Sequence, residues 1–232
     1  METELATKQE NRITRRQNET DIIVVLDRSG SMQAVRQDMI GGLNQFVKEQ
    51  KQHPQGATFS LVQFDTEYEI VCDCMKLADV GHLDLVPRGC TALLDAIGRT
   101  INSTENRLGK LDSVDKPSKV LFVIITDGHE NSSHEFSKKQ ILEMITRKKT
   151  TNSWEFVFLG ANQDAIDEGA QIGIGVNQAM TYQATPQGVS RAFSSLSAQA
   201  TSYRTTGKYT FTDDDRKWQS YKTADDGASF TS

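Results

Sequence analysis

The sequence predicts an α/β fold: a Rossmann-like, doubly wound, mostly parallel sheet with one antiparallel edge strand and helices on both faces. Continuous apolar runs rich in β-branched residues, 22–26 and 120–125, have the character of strands buried on both sides. Segments of helical spacing alternate with such runs, and parallel neighbours require crossovers of this kind. An apolar/polar alternation directly behind a third run marks a hairpin, which supplies the antiparallel edge.

Taken in order, the first strand is Ile22-Ile23-Val24-Val25-Leu26. Behind the loop 27–31, Met32, Val35, Met39, Leu43, Phe46 and Val47 recur at helical spacing. Phe59 to Phe64 and then Tyr68, Ile70, Cys72 and Cys74 form the hairpin, with both cysteines expected on one face of its outer strand. Leu94, Ile97 and Ile101 share a helix face, and 119–125 is the second buried strand. Ser137 with Gln140 is a capping box opening a helix to about residue 149, with Phe136 placed to staple against Ile141. Strand 154–159, a short helix 165–172 and strand 180–183 follow. Thr185 and Pro186 then start a helix with Val189, Ala192, Phe193, Leu196, Ala200 and Tyr203 on one stripe. Gly41 and Gly42 within the first helix point to close helix–sheet packing. The expected organisation is a polar arm 1–20, a domain 21–207, and a polar, acidic tail 208–232.

Composition narrows the function classes. Of 232 residues, 37% are hydrophobic and 25% charged, with only 16 Gly and 4 Pro, which excludes collagen-like, low-complexity and wholly disordered chains. No apolar run approaches the roughly 18 residues of a membrane span, and residues 1–20 hold no apolar stretch of a secretory signal. A cytoplasmic protein without a membrane partner is expected. A net charge of -5 argues against nucleic acid as a partner. Three cysteines without paired spacing fit reduced thiols, with Cys90 expected as a small buried packing residue.

In open α/β sheets ligands bind beyond the carboxyl ends of the strands. There the first strand ends in Asp27-Arg28-Ser29-Gly30-Ser31, the second buried strand ends in Thr126-Asp127-Gly128, and a third loop holds Gly89-Cys90-Thr91. Two carboxylates and several hydroxyls, with no His or Cys among them, make a hard oxygen site suited to a divalent cation such as Mg²⁺.

Asp27-x-Ser29-x-Ser31, Thr91 and Asp127-Gly128, in this order, resemble the metal-ion-dependent adhesion site of von Willebrand factor A domains, over roughly residues 20–204. The wording Asp27-Arg28-Ser29-Gly30-Ser31-Met32 with Asp127-Gly128-His129-Glu130-Asn131 is most similar to intracellular bacterial or phage members. The resemblance implies a metal held by Asp27, Ser29, Ser31, Thr91 and Asp127, with Mn²⁺ or Ca²⁺ as alternatives to Mg²⁺. It also implies an open position filled by an Asp or Glu carboxylate of a protein partner, for example an AAA-type ATPase or a stress-response assembly. The expected protein is a binding module rather than an enzyme.

Other readings compete with this one. His129-Glu130-x-x-x-His134 misses the zincin spacing by one residue. A Ser29, His129, Asp127 hydrolytic set lacks a nucleophile elbow, and phosphoryl transfer through Asp27 lacks a second acidic residue at position 29. The alternatives kept are a metal-dependent phosphoryl-transfer or hydrolase enzyme and a structural assembly subunit with a vestigial metal site. Arg28 either sets partner preference or neutralises nearby carboxylates. Asp213, Asp214 and Asp215 are candidate carboxylate ligands for the open position, in cis or through self-association.

Overall fold

A computed structural model describes residues 19–161 and 165–216. Six strands form one sheet in the order β3-β2-β1-β4-β5-β6. They are β1 (Thr20–Asp27), β2 (Ala57–Phe64), β3 (Tyr68–Lys76), β4 (Lys119–Thr126), β5 (Glu155–Ala161) and β6 (Ala179–Tyr182). All neighbours are parallel except β2 and β3, so the hairpin is the antiparallel edge that the sequence predicts.

Each crossover carries a helix: α1 (Arg36–Lys51), α2 (Leu93–Gly109), α3 (Lys138–Asn152) and α4 (Ala165–Gln171); α5 (Pro186–Thr206) and the single turn α6 (Asp213–Arg216) follow the last strand. Side chains of β1 alternate between the two sheet faces. Ile22, Val24 and Leu26 pack with Phe46 of α1 and Leu196 of α5, whereas Ile23 and Val25 pack with Ile97 of α2 and Ile145 of α3. Every residue of β1 is buried, which accounts for its unbroken apolar run. The expected caps are present. Ser137 and Gln140 form the reciprocal capping box, and Thr185 accepts the Gly188 N–H with Pro186 at the first helical position.

Several expectations are corrected by the packing. Cys72 and Cys74 do not share a face: two register shifts interrupt the β2–β3 pairing, and Cys74 takes φ 48°. Cys72 therefore packs with the α1/α5 core, while the Cys74 thiol meets Arg107 of α2 at 3.1 Å. Cys90 is exposed instead of buried. Of the two helix glycines only Gly42 serves packing, and against helix α5 rather than the sheet; a Cβ there would lie 2.2 Å from the Phe193 ring, whereas one on Gly41 would meet nothing within 4 Å. Phe136 closes over Gly98, where a Cβ would approach its ring to 2.6 Å.

The chain beyond Gly207 is not simply a polar tail. Tyr209 and Phe211 are buried as an edge-to-face pair with centroids 5.2 Å apart. The Phe211 N–H donates to the Asn177 carbonyl and Gln178 Nε2 to the Tyr209 carbonyl, which pins this segment beside β6. Residues 1–18 and 217–232, including Trp218, Tyr221 and Phe230, lie outside the described residues. Among the described residues no helix is long and apolar enough to cross a membrane.

Candidate metal centre

The strand order reverses between β1 and β4, so their following loops part to opposite faces and leave a crevice at the carboxyl end of the sheet. Asp27 ends β1 and Asp127 immediately follows β4. The two carboxylates and the hydroxyl-bearing loops thus converge by topology.

Asp27 is fully buried. Its Oδ1 accepts the Ser29 N–H at 2.6 Å and its Oδ2 accepts the Thr126 hydroxyl at 2.6 Å. These bonds curl the first loop so that Ser29 Oγ and Ser31 Oγ stand 3.1 Å apart, and Ser31 Oγ donates to Asp127 Oδ1 at 2.6 Å. Thr91 enters from the third side. A Cβ placed on Gly128 would lie 3.3 Å from Thr91 Oγ1 and 3.7 Å from Ser31 Oγ, so both hydroxyls border the same small space, which glycine leaves open. All five residues expected from the sequence are brought together.

The supporting loop is held equally closely. The Gly30 N–H donates to the Gly89 carbonyl at 3.1 Å, fastening the first loop to the third. Gly89 has φ +68°, and a Cβ there would press on Asp65 and Thr66 at 3.2 Å, so both backbone and space call for glycine. Arg28 does not reach the centre. Its buried side chain turns to the hairpin, with Nε 3.2 Å from Asp65 and with Glu67 and Glu69 close by, which decides for charge neutralisation.

Electrostatically the centre gathers two carboxylates, and no cation of the described residues pairs with them. Burial pushes Asp27 up to about 6, against the Thr126 and Ser29 hydrogen bonds, and Asp127 adds to the rise. Burial likewise raises Asp127, opposed by the Ser31 hydrogen bond. Beneath them the buried Tyr182 hydroxyl reaches the Thr126 carbonyl at 3.4 Å, and burial with the two carboxylates keeps it protonated. Among the described residues no Lys, Arg or His forms an ion pair with Asp27 or Asp127. Nor do three or more His, Cys, Asp or Glu side chains cluster as a metal group. The donor set is two carboxylates plus three hydroxyls, a combination that fits a hard divalent cation and not a soft one.

The competing constellations separate. His129 and His134 are exposed residues of the loop before α3, and His129 Nδ1 lies 3.7 Å from Glu168. Asp215 accepts from Ser195 at 2.5 Å and caps Thr212, and Asp213 lies 3.8 Å from Arg216, so these two carboxylates have partners next to α5.

Sequence reasoning missed the residues that fasten the third loop. Glu130 accepts the Leu94 N–H at 2.9 Å at the start of α2, together with the N–H groups of Ser132 and Ser133. Asp95 returns the arrangement by accepting from His134, Glu135 and Phe136. Burial raises the Asp95 carboxyl, but these three N–H donors outweigh it and hold the group below its ordinary value. The only local signal was a run of polar residues, Glu130 to Ser133, directly after Asp127-Gly128.

This sheet order and this crevice define an α/β domain with an oxygen-lined site at its carboxyl end. The von Willebrand factor type A domain matches residues 21–195, and the chain belongs to that family. No curated protein matches the chain in sequence. Among solved structures it is similar to proximal thread matrix protein 1 from the mussel byssus, with 17% identity, TM-score 0.57, and coverage of 79% of this chain and 46% of that one. A von Willebrand factor type A protein from Catenulispora acidiphila gives 16%, 0.56, 79% and 43%. The pilus adhesin SpaC from Lactobacillus rhamnosus GG gives 13%, 0.58, 79% and 30%. The chain thus spans less than half the length of each. The mussel protein has also been solved with a zinc-occupied metal-ion-dependent adhesion motif.

Proposed function

We propose that this domain is a binding module, without turnover, that holds a divalent cation through Asp27, Ser29, Ser31, Thr91 and Asp127 and grips a carboxylate of a protein partner. The observation that carries the reading is the pair of carboxylates, buried Asp27 and half-buried Asp127, that face converging hydroxyls and have no ion-pair partner among the described residues. Buried charges are ordinarily paired or coordinate metals. A bound cation supplies the missing positive charge and an electrophilic position that favours an anionic oxygen.

The chain's own residues do the rest. Asp27, bonded to Ser29 and Thr126, fixes the first loop and presents the two serine hydroxyls. Asp127, engaged by Ser31, joins the β4 loop to the same centre, and the glycine at 128 leaves room at the mouth. The hydroxyls are bonded to one another and to Asp127, and among the described residues no histidine is hydrogen-bonded to them, His129 standing by Glu168 instead, which supports binding over a serine–histidine hydrolytic set. Mg²⁺ is the ion we assign, in a cytoplasmic setting, with a partner such as an AAA-type ATPase or a stress-response assembly as the sequence resemblance implies.

Thermal unfolding in EDTA and then in graded Mg²⁺, Mn²⁺ or Ca²⁺ tests the reading. Metal at about 100 times its Kd adds roughly 2.7 kcal/mol, a rise of about 5–10 °C for a domain of this size. Asp127→Ala should abolish the rise. A flat response in the folded wild type removes the metal mechanism and favours a structural subunit with a vestigial site.

A further inference from the structure

We propose that Asn131 is the positioning residue of this centre, acting through Thr91; the inference rests on the metal-binding reading above. Asn131 takes hold of Thr91 by both main-chain groups: its Oδ1 accepts the Thr91 N–H at 2.9 Å, and its own N–H donates to the Thr91 carbonyl at 3.1 Å. Thr91 lies outside α2, which starts at Leu93, and its buried side chain turns Oγ1 toward Gly128 and Ser31. A single residue of the loop behind Asp127 thereby fixes both hydrogen-bonding groups of the residue across the crevice.

The surrounding contacts separate this role from general loop support. Glu130 and Asp95 tie the loop to the helix start at Leu94 and Asp95, and their hydrogen bonds go to Leu94, Ser132, Ser133 and residues 134–136, not to Thr91. Ser132 Oγ donates to the same Asn131 Oδ1 at 2.6 Å, which keeps the carbonyl side of the amide facing Thr91. Asn131 itself is exposed, so truncating it removes hydrogen bonds and no core packing. Residues that orient metal ligands typically contribute 10–100-fold to metal affinity.

The test is a Mn²⁺ titration of the full chain, with free Mn²⁺ followed by electron paramagnetic resonance, on wild type, Asn131→Ala, Asn131→Asp, Thr91→Ala and the Asn131→Ala/Thr91→Ala double variant. Asn131→Ala should weaken Mn²⁺ binding by roughly 10–100-fold while its metal-free unfolding midpoint stays near that of wild type. Asn131→Asp retains the acceptor and should bind at least as tightly as wild type. The double variant should bind no more weakly than Thr91→Ala alone, because residues that act as one unit are non-additive. Amide exchange gives a metal-free readout: protection of the Thr91 N–H should vanish in Asn131→Ala and persist in Asn131→Asp. Wild-type affinity in Asn131→Ala, additive losses in the double variant, or an unchanged Thr91 amide each overturn the inference. If wild type binds no Mn²⁺, the metal reading itself falls and takes the inference with it; if wild type binds and only Asn131→Ala is silent, the inference alone falls.

Discussion

Strand β1 carries a fully buried aspartate near each end, and the two are solved differently. Asp21, at the amino end of the sheet, accepts the Thr58 hydroxyl at 2.7 Å and receives Arg107 Nη2 at 2.6 Å. Asp27, at the carboxyl end, accepts the Thr126 hydroxyl at 2.6 Å and the Ser29 N–H at 2.6 Å, and no guanidinium or ammonium of the described residues pairs with it. Each thus takes one threonine hydroxyl from a neighbouring strand; the difference is the cation. One end of the strand has its counter-charge among the described residues and the other does not, and the proposed metal would supply it there.

The largest effect is expected at the complete end. Arg107→Ala leaves Asp21 buried without its cation, and breaking a buried pair in this way costs about 3–5 kcal/mol. Urea unfolding at neutral pH measures it. A loss below about 1 kcal/mol would show that this sheet tolerates an uncompensated buried carboxylate, and the case for a cation at Asp27 would lose its footing.

Asp27→Asn should act in the opposite direction. The amide keeps an acceptor for Ser29 and a polar partner for Thr126 but removes the buried charge. With the folded-state carboxyl at about 6 against an ordinary 3.8, the metal-free variant should gain up to about 3 kcal/mol at pH 7. It should also lose the Mg²⁺-dependent rise. A variant that is less stable than metal-free wild type would mean that the Asp27 charge is compensated within the protein after all.

The same shift fixes a pH dependence. The unfolded chain releases the Asp27 proton near 3.8 and the folded chain near 6. The contribution is therefore fully present below the lower value and is lost as pH rises through the higher one. Subtracting the Asp27→Asn stability curve from that of wild type in EDTA should isolate a decline between about pH 4 and 6. Saturating Mg²⁺ should restore wild type at neutral pH, because a cation favours the ionised form. A flat difference curve would contradict the burial of an unpaired charge.

How much of this was legible in the sequence follows from the range of each interaction. The β-branched runs and the stripes of α1 and α5 were readable because a buried strand or helix face writes its own period. The convergence of Asp27, Ser29, Ser31 and Asp127 was readable because the ends of β1 and β4 lie side by side, with Thr91 joining from the loop before α2. The Asp21–Arg107 pair was not, since its partners are 86 positions apart and neither lies in a distinctive pattern. Asn131 and Asp95 hid for the same reason: a polar loop residue shows its role only once the segment it bonds is known. Cys74 was misplaced because one bulge reverses the alternation on which face assignment depends. Tyr209 and Phe211, two aromatics in a polar stretch, carry no period that would announce burial.

The smallest effects separate the two threonines. Thr58→Val and Thr126→Val each delete one hydrogen bond to a buried carboxylate, a class of bond that contributes about 1.5–3 kcal/mol. Asp21 keeps the Arg107 guanidinium 2.6 Å away, so Thr58→Val should show a loss within that range. Asp27 has another outlet: without the Thr126 hydroxyl its carboxyl rises further and takes up a proton, which limits the cost. In EDTA at pH 6, Thr126→Val should therefore lose less than Thr58→Val, and in saturating Mg²⁺, where the charged form is required, the gap should close. Equal losses in EDTA would mean that the Arg107 guanidinium beside Asp21 makes no difference to what a threonine hydrogen bond to a buried carboxylate is worth.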